Sequence, residues 1–176
     1  IFLNQKINSI KNFKNIILFS PTHRWGNLLS PLENLLLEDA FIDTLTKEGL
    51  KIKYTTHPHY SLPKPLSSKV SKFEGEWEKV LSLVTDYSSI GYDYSYSGGR
   101  NLIYYTPDIL EFENHEGKGP LFDLHLKNQT NFINKNDLLD KLLKLKINHI
   151  KESNQNSIKN EIHKNYFTNL MKLINN

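Results

Sequence analysis

Cysteine is absent from this 176-residue chain. Its absence excludes disulfides and thiolate metal sites, and leaves the redox compartment open. No apolar run approaches the roughly 20 residues needed to cross a bilayer, and no signal-peptide pattern opens the sequence. The Gly-x-Gly-x-x-Gly fingerprint of dinucleotide-binding layers is also missing, which argues against NAD or FAD. No basic patch is interleaved with aromatics, so nucleic acid is a poor candidate partner. Charge of one sign is scarce too, the formal net charge being +3. Residues 1–136 balance 15 acidic against 15 basic side chains, so the whole excess falls in residues 137–176, with 4 acidic and 7 basic. Such a tail could lie against an anionic membrane surface or polymer, although a solvated helix face is the commoner outcome. The chain begins at Ile1 rather than Met, and the expectation is one domain, residues 1–176, cut from a longer protein.

Short buried-type strands alternate with helical patterns along the chain. Ile16-Ile17-Leu18-Phe19 is a continuous apolar run that fits a parallel strand covered on both faces. Ser30-Pro31-Leu32-Glu33 has the cap, first-position proline and capping-box glutamate of a helix start. Leu32, Leu35, Leu36, Ile42 and Leu45 then supply one apolar face, and Gly49 ends the helix. Lys51–Thr56 alternates like a strand, residues 61–75 read as a mobile Ser/Pro/Lys-rich loop, and Glu76–Val80 reads as a short helix. Leu81–Val84 and Asn101–Tyr105 are two further strands, with a Gly/Pro loop at 117–120 and helices near 136–146 and 154–174. The order predicts an α/β fold with a Rossmann-like, doubly wound parallel sheet.

The stretch Leu81–Gly99 is the best candidate for chemistry. A buried-type strand stops at Thr85-Asp86, Ser88-Ser89 offer hydroxyls where a helix begins, and Gly98-Gly99 closes the segment. The helix between is built from Ser, Tyr, Gly and Asp, mediocre or poor helix formers that need packing or a ligand to hold them. A helix N-terminus has unpartnered amides and a partial positive charge, so it suits an anion, with Gly91 letting a phosphate approach the backbone. A plain helix cap at Ser88 is the competing reading.

Two other strand ends point to the same sheet edge. Thr22-His23-Arg24 follows the first strand, where ligands of open α/β sheets gather. Arg24 suits either a phosphate or a structural salt bridge, and His23 either a ligand or the surface. His57, bent by Pro58 after the next strand, can exchange a proton near neutrality. His57 and His59 lack a third nearby ligand, so no zinc or other metal is expected.

Four blocks then resemble one family: Phe19–Arg24, His57-Pro58, Val84–Asp93 with its Thr85-Asp86-Tyr87-Ser88-Ser89 core, and Ile103–Asp108. In order and approximate spacing they are similar to the CDP-glycerol glycerophosphotransferases, bacterial teichoic-acid and capsule polymerases. The resemblance runs from about residue 16 to 125 and is most specific at the Thr85–Asp93 block. It implies one half of a GT-B fold, the half that binds the donor nucleotide, with the acceptor-binding N-terminal domain lying outside this sequence. The implied reaction is attack by a terminal polymer hydroxyl on the β-phosphorus of CDP-glycerol, expelling CMP.

By that resemblance Thr22, His23, Arg24, Thr85, Asp86, Ser88, Ser89 and Asp93 would meet the donor phosphates or nucleotide. Arg24 and His57 would carry the catalytic roles. Asp86 suits fixing the turn or a ligand hydroxyl, and Asp93 either a donor hydroxyl or a brace for Arg24. No built-in cofactor is implied; CDP-glycerol is the donor substrate and an anionic polyol-phosphate or capsular polymer the acceptor. The implied location is cytoplasmic, at the inner face of the cell membrane with peripheral contact. Two features depart from the family pattern: a short loop between Pro58 and Thr85, and His at position 23. A GT-B glycosyltransferase with a CMP- or UDP-linked sugar, or a non-catalytic nucleotide-binding module, are the alternatives. If this is only the donor-binding half, the purified chain binds donor weakly and transfers nothing. CMP release from CDP-glycerol by the isolated chain in the presence of polymer acceptor would contradict that expectation.

Overall fold

The computed structural model describes residues 14–24, 28–56, 66–116 and 130–150. Six strands, β1 (Ile16–Ser20), β2 (Lys51–Tyr54), β3 (Val70–Lys72), β4 (Val80–Thr85), β5 (Leu102–Tyr105) and β6 (Thr130–Phe132), form one sheet in the order β3-β2-β1-β4-β5-β6. Every neighbouring pair is parallel. The order runs outward from β1 in one direction and from β4 in the other, which is the doubly wound arrangement expected from the sequence. β1 and β4 therefore flank the topological switch point, the place where open α/β sheets leave a crevice beyond their carboxyl ends.

The helices are α1 (Pro31–Leu37), α2 (Asp39–Lys47), α3 (Ile90–Tyr96), α4 (Ile109–Glu116) and α5 (residues 135–150). Successive residues of β1 serve opposite faces of the sheet. Ile17 and Phe19 join Leu32, Leu36, Phe41, Ile42, Leu45, Leu138 and Leu142, from α1, α2 and α5, in one cluster. Ile16 and Leu18 join Tyr94 of α3 in the other, with Val80, Leu83, Leu102 and Tyr104. In β4, Leu81 and Val84 share the first face although three residues apart. The register with β1 shifts between Ile16 and Ile17, opposite Val80 and Ser82, and this irregularity accounts for the change of parity.

Several local expectations hold and others change. The Ser30–Glu33 capping box forms in both directions, with Pro31 opening α1. The single helix expected from Ser30 to Gly49 is instead two, broken at Glu38 by a β-region backbone (φ −86°, ψ 98°). At 100° per residue an unbroken helix carries Asp39 and Asp43 onto the stripe of Leu32 and Leu36, and Phe41 onto the opposite side. The break re-phases the second segment so that Phe41, Ile42 and Leu45 face the core. Glu38 is pinned at the break by Lys135, 2.5 Å away.

The expected 61–75 loop contains the edge strand β3, which pairs with β2. The segment expected as a helix at Glu76–Val80 is a 3-10 turn over Trp77–Lys79. Helix α4 and strand β6 were not anticipated from the sequence. The expected helix at 154–174 lies outside the described residues. No helix among the described residues is long and apolar enough to cross a membrane.

Gly49 and Gly98 end α2 and α3 with φ of 75° and 84°, the left-handed conformation that favours glycine. Gly91 has a packing role that the sequence did not show. It is buried against the sheet, and a Cβ there would sit 2.5 Å from the Tyr104 hydroxyl and 3.3 Å from Leu102. The glycine lets α3 lie close on β5. Alanine is the better helix former by about 1 kcal/mol, but overpacking costs about 1–3 kcal/mol. The buried Tyr104 ring has little room to yield. Gly91→Ala therefore lowers stability by about 1 kcal/mol in urea unfolding, and adding Tyr104→Phe recovers most of it. A stabilised single variant would show that this contact does not limit the packing.

Candidate functional site

The carboxyl ends of β1, β4 and β5 each run into a short polar segment: Pro21–Arg24, Asp86–Ser89 and Thr106–Asp108. The first two meet at the Asp86 carboxylate, 1% exposed. Its Oδ1 accepts from the Thr22 amide at 2.9 Å, the Thr22 hydroxyl at 2.5 Å and the Tyr87 amide at 2.8 Å. Its Oδ2 accepts from Arg24 Nη2 at 3.1 Å. Burial pushes the Asp86 carboxyl upward, while Arg24, the Thr22 hydroxyl and the two amides favour the charged form.

Arg24 joins the third segment. Its Nε and Nη2 donate to Asp108 Oδ2 at 3.2 and 3.0 Å, and Nη1 donates to the Thr22 carbonyl at 2.9 Å. Burial works against the guanidinium charge, but Asp86 and then Asp108 outweigh it, so its pKa lies above the ordinary value. Asp108 Oδ1 also accepts from the Tyr87 hydroxyl at 3.1 Å. Burial, then Asp108, pushes that phenol well above its usual range, so it stays a proton donor. The Tyr87 ring stacks on Phe112 with centroids 3.8 Å apart, and the Arg24 guanidinium carbon lies 5.1 and 4.8 Å from the two ring centroids.

Of the residues singled out in the sequence, Thr22, Arg24 and Asp86 are brought into direct contact. Thr85 is buried beside them and its hydroxyl donates to the Ser20 carbonyl at 2.7 Å, tying β4 to β1. Ser88 is half-buried and its Oγ accepts a long bond, 3.4 Å, from the Ile90 amide. Ser89 is exposed and stands at the N-cap position of α3 in helical backbone, with no side-chain cap bond. Asp93 is exposed in the first turn of α3. The carboxylates on Arg24 are Asp86 and Asp108. His23 is exposed, and His57 lies outside the described residues.

Three residues of the cluster carried no assigned role in the sequence reading: Tyr87, Asp108 and Phe112. Asp108 did leave a signal, since an acidic residue three positions past the end of buried strand β5 resembles Asp86, which follows β4. Phe112 left none, because α4 has no strong periodicity. Among the described residues, no group of three or more His, Cys, Asp or Glu side chains is placed to hold a metal ion.

The arrangement is a largely buried cluster in which one guanidinium bridges two carboxylates. Removing only the cation leaves buried charge uncompensated, a loss of about 3 kcal/mol or more. Arg24→Met therefore unfolds at markedly lower urea at neutral pH. Without Arg24, burial raises the Asp86 pKa further, and a group with a raised folded-state pKa favours the fold most when protonated. The deficit of the variant accordingly narrows as pH falls through the carboxylate range. A deficit that is constant with pH would show that Asp86 does not depend on Arg24 for its charge.

Residues 3–168 match the sequence family described as CDP-Glycerol:Poly(glycerophosphate) glycerophosphotransferase. No curated protein sequence matches the chain. Among solved structures, one of the wall teichoic acid polymerase TagF aligns over 94% of this chain and 47% of its own, with 17% identity and a TM-score of 0.54. A single-residue variant of TagF aligns over 88% and 42%, with 18% identity and a TM-score of 0.55. Another TagF variant, soaked with CDPG, aligns over 94% and 48%, with 18% identity and a TM-score of 0.56. At these identities the likeness concerns the fold, and this chain spans less than half of each of these solved chains.

Proposed function

This chain belongs to the CDP-glycerol:poly(glycerophosphate) glycerophosphotransferase family, and from that premise we propose that it supplies the donor-binding half of a polyol-phosphate transferase. The observation that carries the reading is the convergence of Thr22, Arg24 and Asp86 at the β1/β4 switch point, directly before the Ser88–Ser89 turn. The family match suggests the substrate class, and the position of the cluster at the switch point supports seating it there.

In the proposed reaction the terminal hydroxyl oxygen of a poly(glycerophosphate) acceptor attacks the β-phosphorus of CDP-glycerol. A new P–O bond forms, the bond to the bridging oxygen breaks, and its electron pair leaves with CMP. Negative charge grows on the leaving phosphate, so fixed donors nearby lower the barrier without reorganising. The Ser88 and Ser89 hydroxyls and the amides opening α3 are assigned that work. Arg24 offsets part of the negative charge of the two neighbouring carboxylates. His57 is assigned proton transfer or phosphate stabilisation at the same edge, and Asp93 a hydroxyl of the donor. The residues assigned here need no metal for phosphate recognition.

Calorimetry on the 176-residue chain with CDP-glycerol, CDP-ribitol, CMP and a UDP-sugar tests the reading. The expected result is measurable binding of the cytidine nucleotides and none of the UDP-sugar. Equal affinity for uridine and cytidine donors, or no binding of either, would overturn it.

A further inference from the structure

We propose that Asp108 is a positioning residue for the donor diphosphate, acting through Arg24 and Tyr87 to hold the Ser88–Ser89 turn; this rests on the donor-site reading above. The guanidinium edge that ordinarily grips a phosphate in two-point fashion is Nε with Nη2. In this chain that edge is taken by Asp108 Oδ2, at 3.2 and 3.0 Å. Nη2 gives its other hydrogen to Asp86, and Nη1 gives one to the Thr22 carbonyl. Four of the five guanidinium hydrogens are thereby used on the protein. Arg24 is presented as a neutraliser and a brace, with its fork turned away from the two-point grip.

Asp108 reaches the turn by a second route. Tyr87 is the residue between Asp86 and Ser88, and it is held at both ends. Its amide donates to Asp86 Oδ1 at 2.8 Å, and its hydroxyl donates to Asp108 Oδ1 at 3.1 Å. The ring between is stacked on Phe112 of α4. The peptide that leads into Ser88 is thus clamped from the β5 side by one carboxylate whose two oxygens serve different neighbours. Asp108 is 16% exposed at its side chain, and in this role it need not touch the ligand to act.

The sign of one substitution separates this role from a direct phosphate clamp by Arg24. If Arg24 grips the donor, Asp108→Asn releases the fork and CDP-glycerol binds more tightly. If Asp108 positions the turn, the same change slackens both Arg24 and Tyr87 and binding weakens. Calorimetry on the 176-residue chain, with CDP-glycerol and cytidine as the two probes, reads the difference. We expect Asp108→Asn to weaken CDP-glycerol by about tenfold while cytidine affinity stays unchanged, because the defect is confined to the phosphate end. Tyr87→Phe removes one hydrogen bond and keeps the stack, and it weakens CDP-glycerol in the same direction by a smaller factor. Should Asp108→Asn fail to fold, Tyr87→Phe decides by the same criteria. Tighter or unchanged CDP-glycerol binding, or an equal loss for both probes, overturns the positioning role. Failure of the wild-type chain to bind CDP-glycerol overturns the donor-site reading instead.

Discussion

A carboxylate withdrawn from water costs several kcal/mol unless donors replace its hydration shell. Asp86 meets that requirement with two backbone amides, one hydroxyl and one guanidinium, drawn from the segments after β1 and β4. Each donor is specific in position, so the carboxylate determines how the two segments lie. Arg24 must then be charged and close, and Asp108 must balance what remains of its fork. The Tyr87–Phe112 stack packs beside the guanidinium and completes the assembly. The crevice floor is thus rigid because a buried charge leaves it few alternatives.

The sheet order makes that assembly useful. β1 and β4 are neighbours although separated by two intervening strands in the sequence, and their chains leave the sheet toward opposite faces. Helices α1, α2 and α5 cover one face and α3 packs on the other, so the segments leaving β1 and β4 part at the carboxyl edge. Gly91 sets how near α3 comes to β5, and the same helix carries the Ser88–Ser89 turn at its start. Packing of the second core and placement of the candidate donor site are one problem, solved at one residue.

The charge arithmetic of the crevice also bears on its chemistry. Two carboxylates and one guanidinium leave a net negative floor, an unusual surface on which to place a diphosphate. Such a floor suits a ligand only if donor hydrogens stand between it and the phosphate oxygens. In the proposed reading the hydroxyls of Ser88 and Ser89 take that part.

Much of this protein was legible in its linear order. Apolar runs such as Ile16–Phe19 and Leu81–Val84 fit strands covered on both faces, and Ser30-Pro31-x-Glu33 states a helix start in local chemistry. Thr22, Arg24 and Asp86 stood out because polar residues directly after buried strands gather at one sheet edge. Tertiary structure decided the rest. The break at Glu38 follows from which face Phe41 must bury, and β3 exists because β2 offers an edge to pair with. Gly91 has Tyr104 where a side chain would stand, which only the packed sheet shows. Above all, the sequence could not say whether Arg24 serves a phosphate or a salt bridge: its partners lie 62 and 84 residues away, and only folding brings their charges within reach.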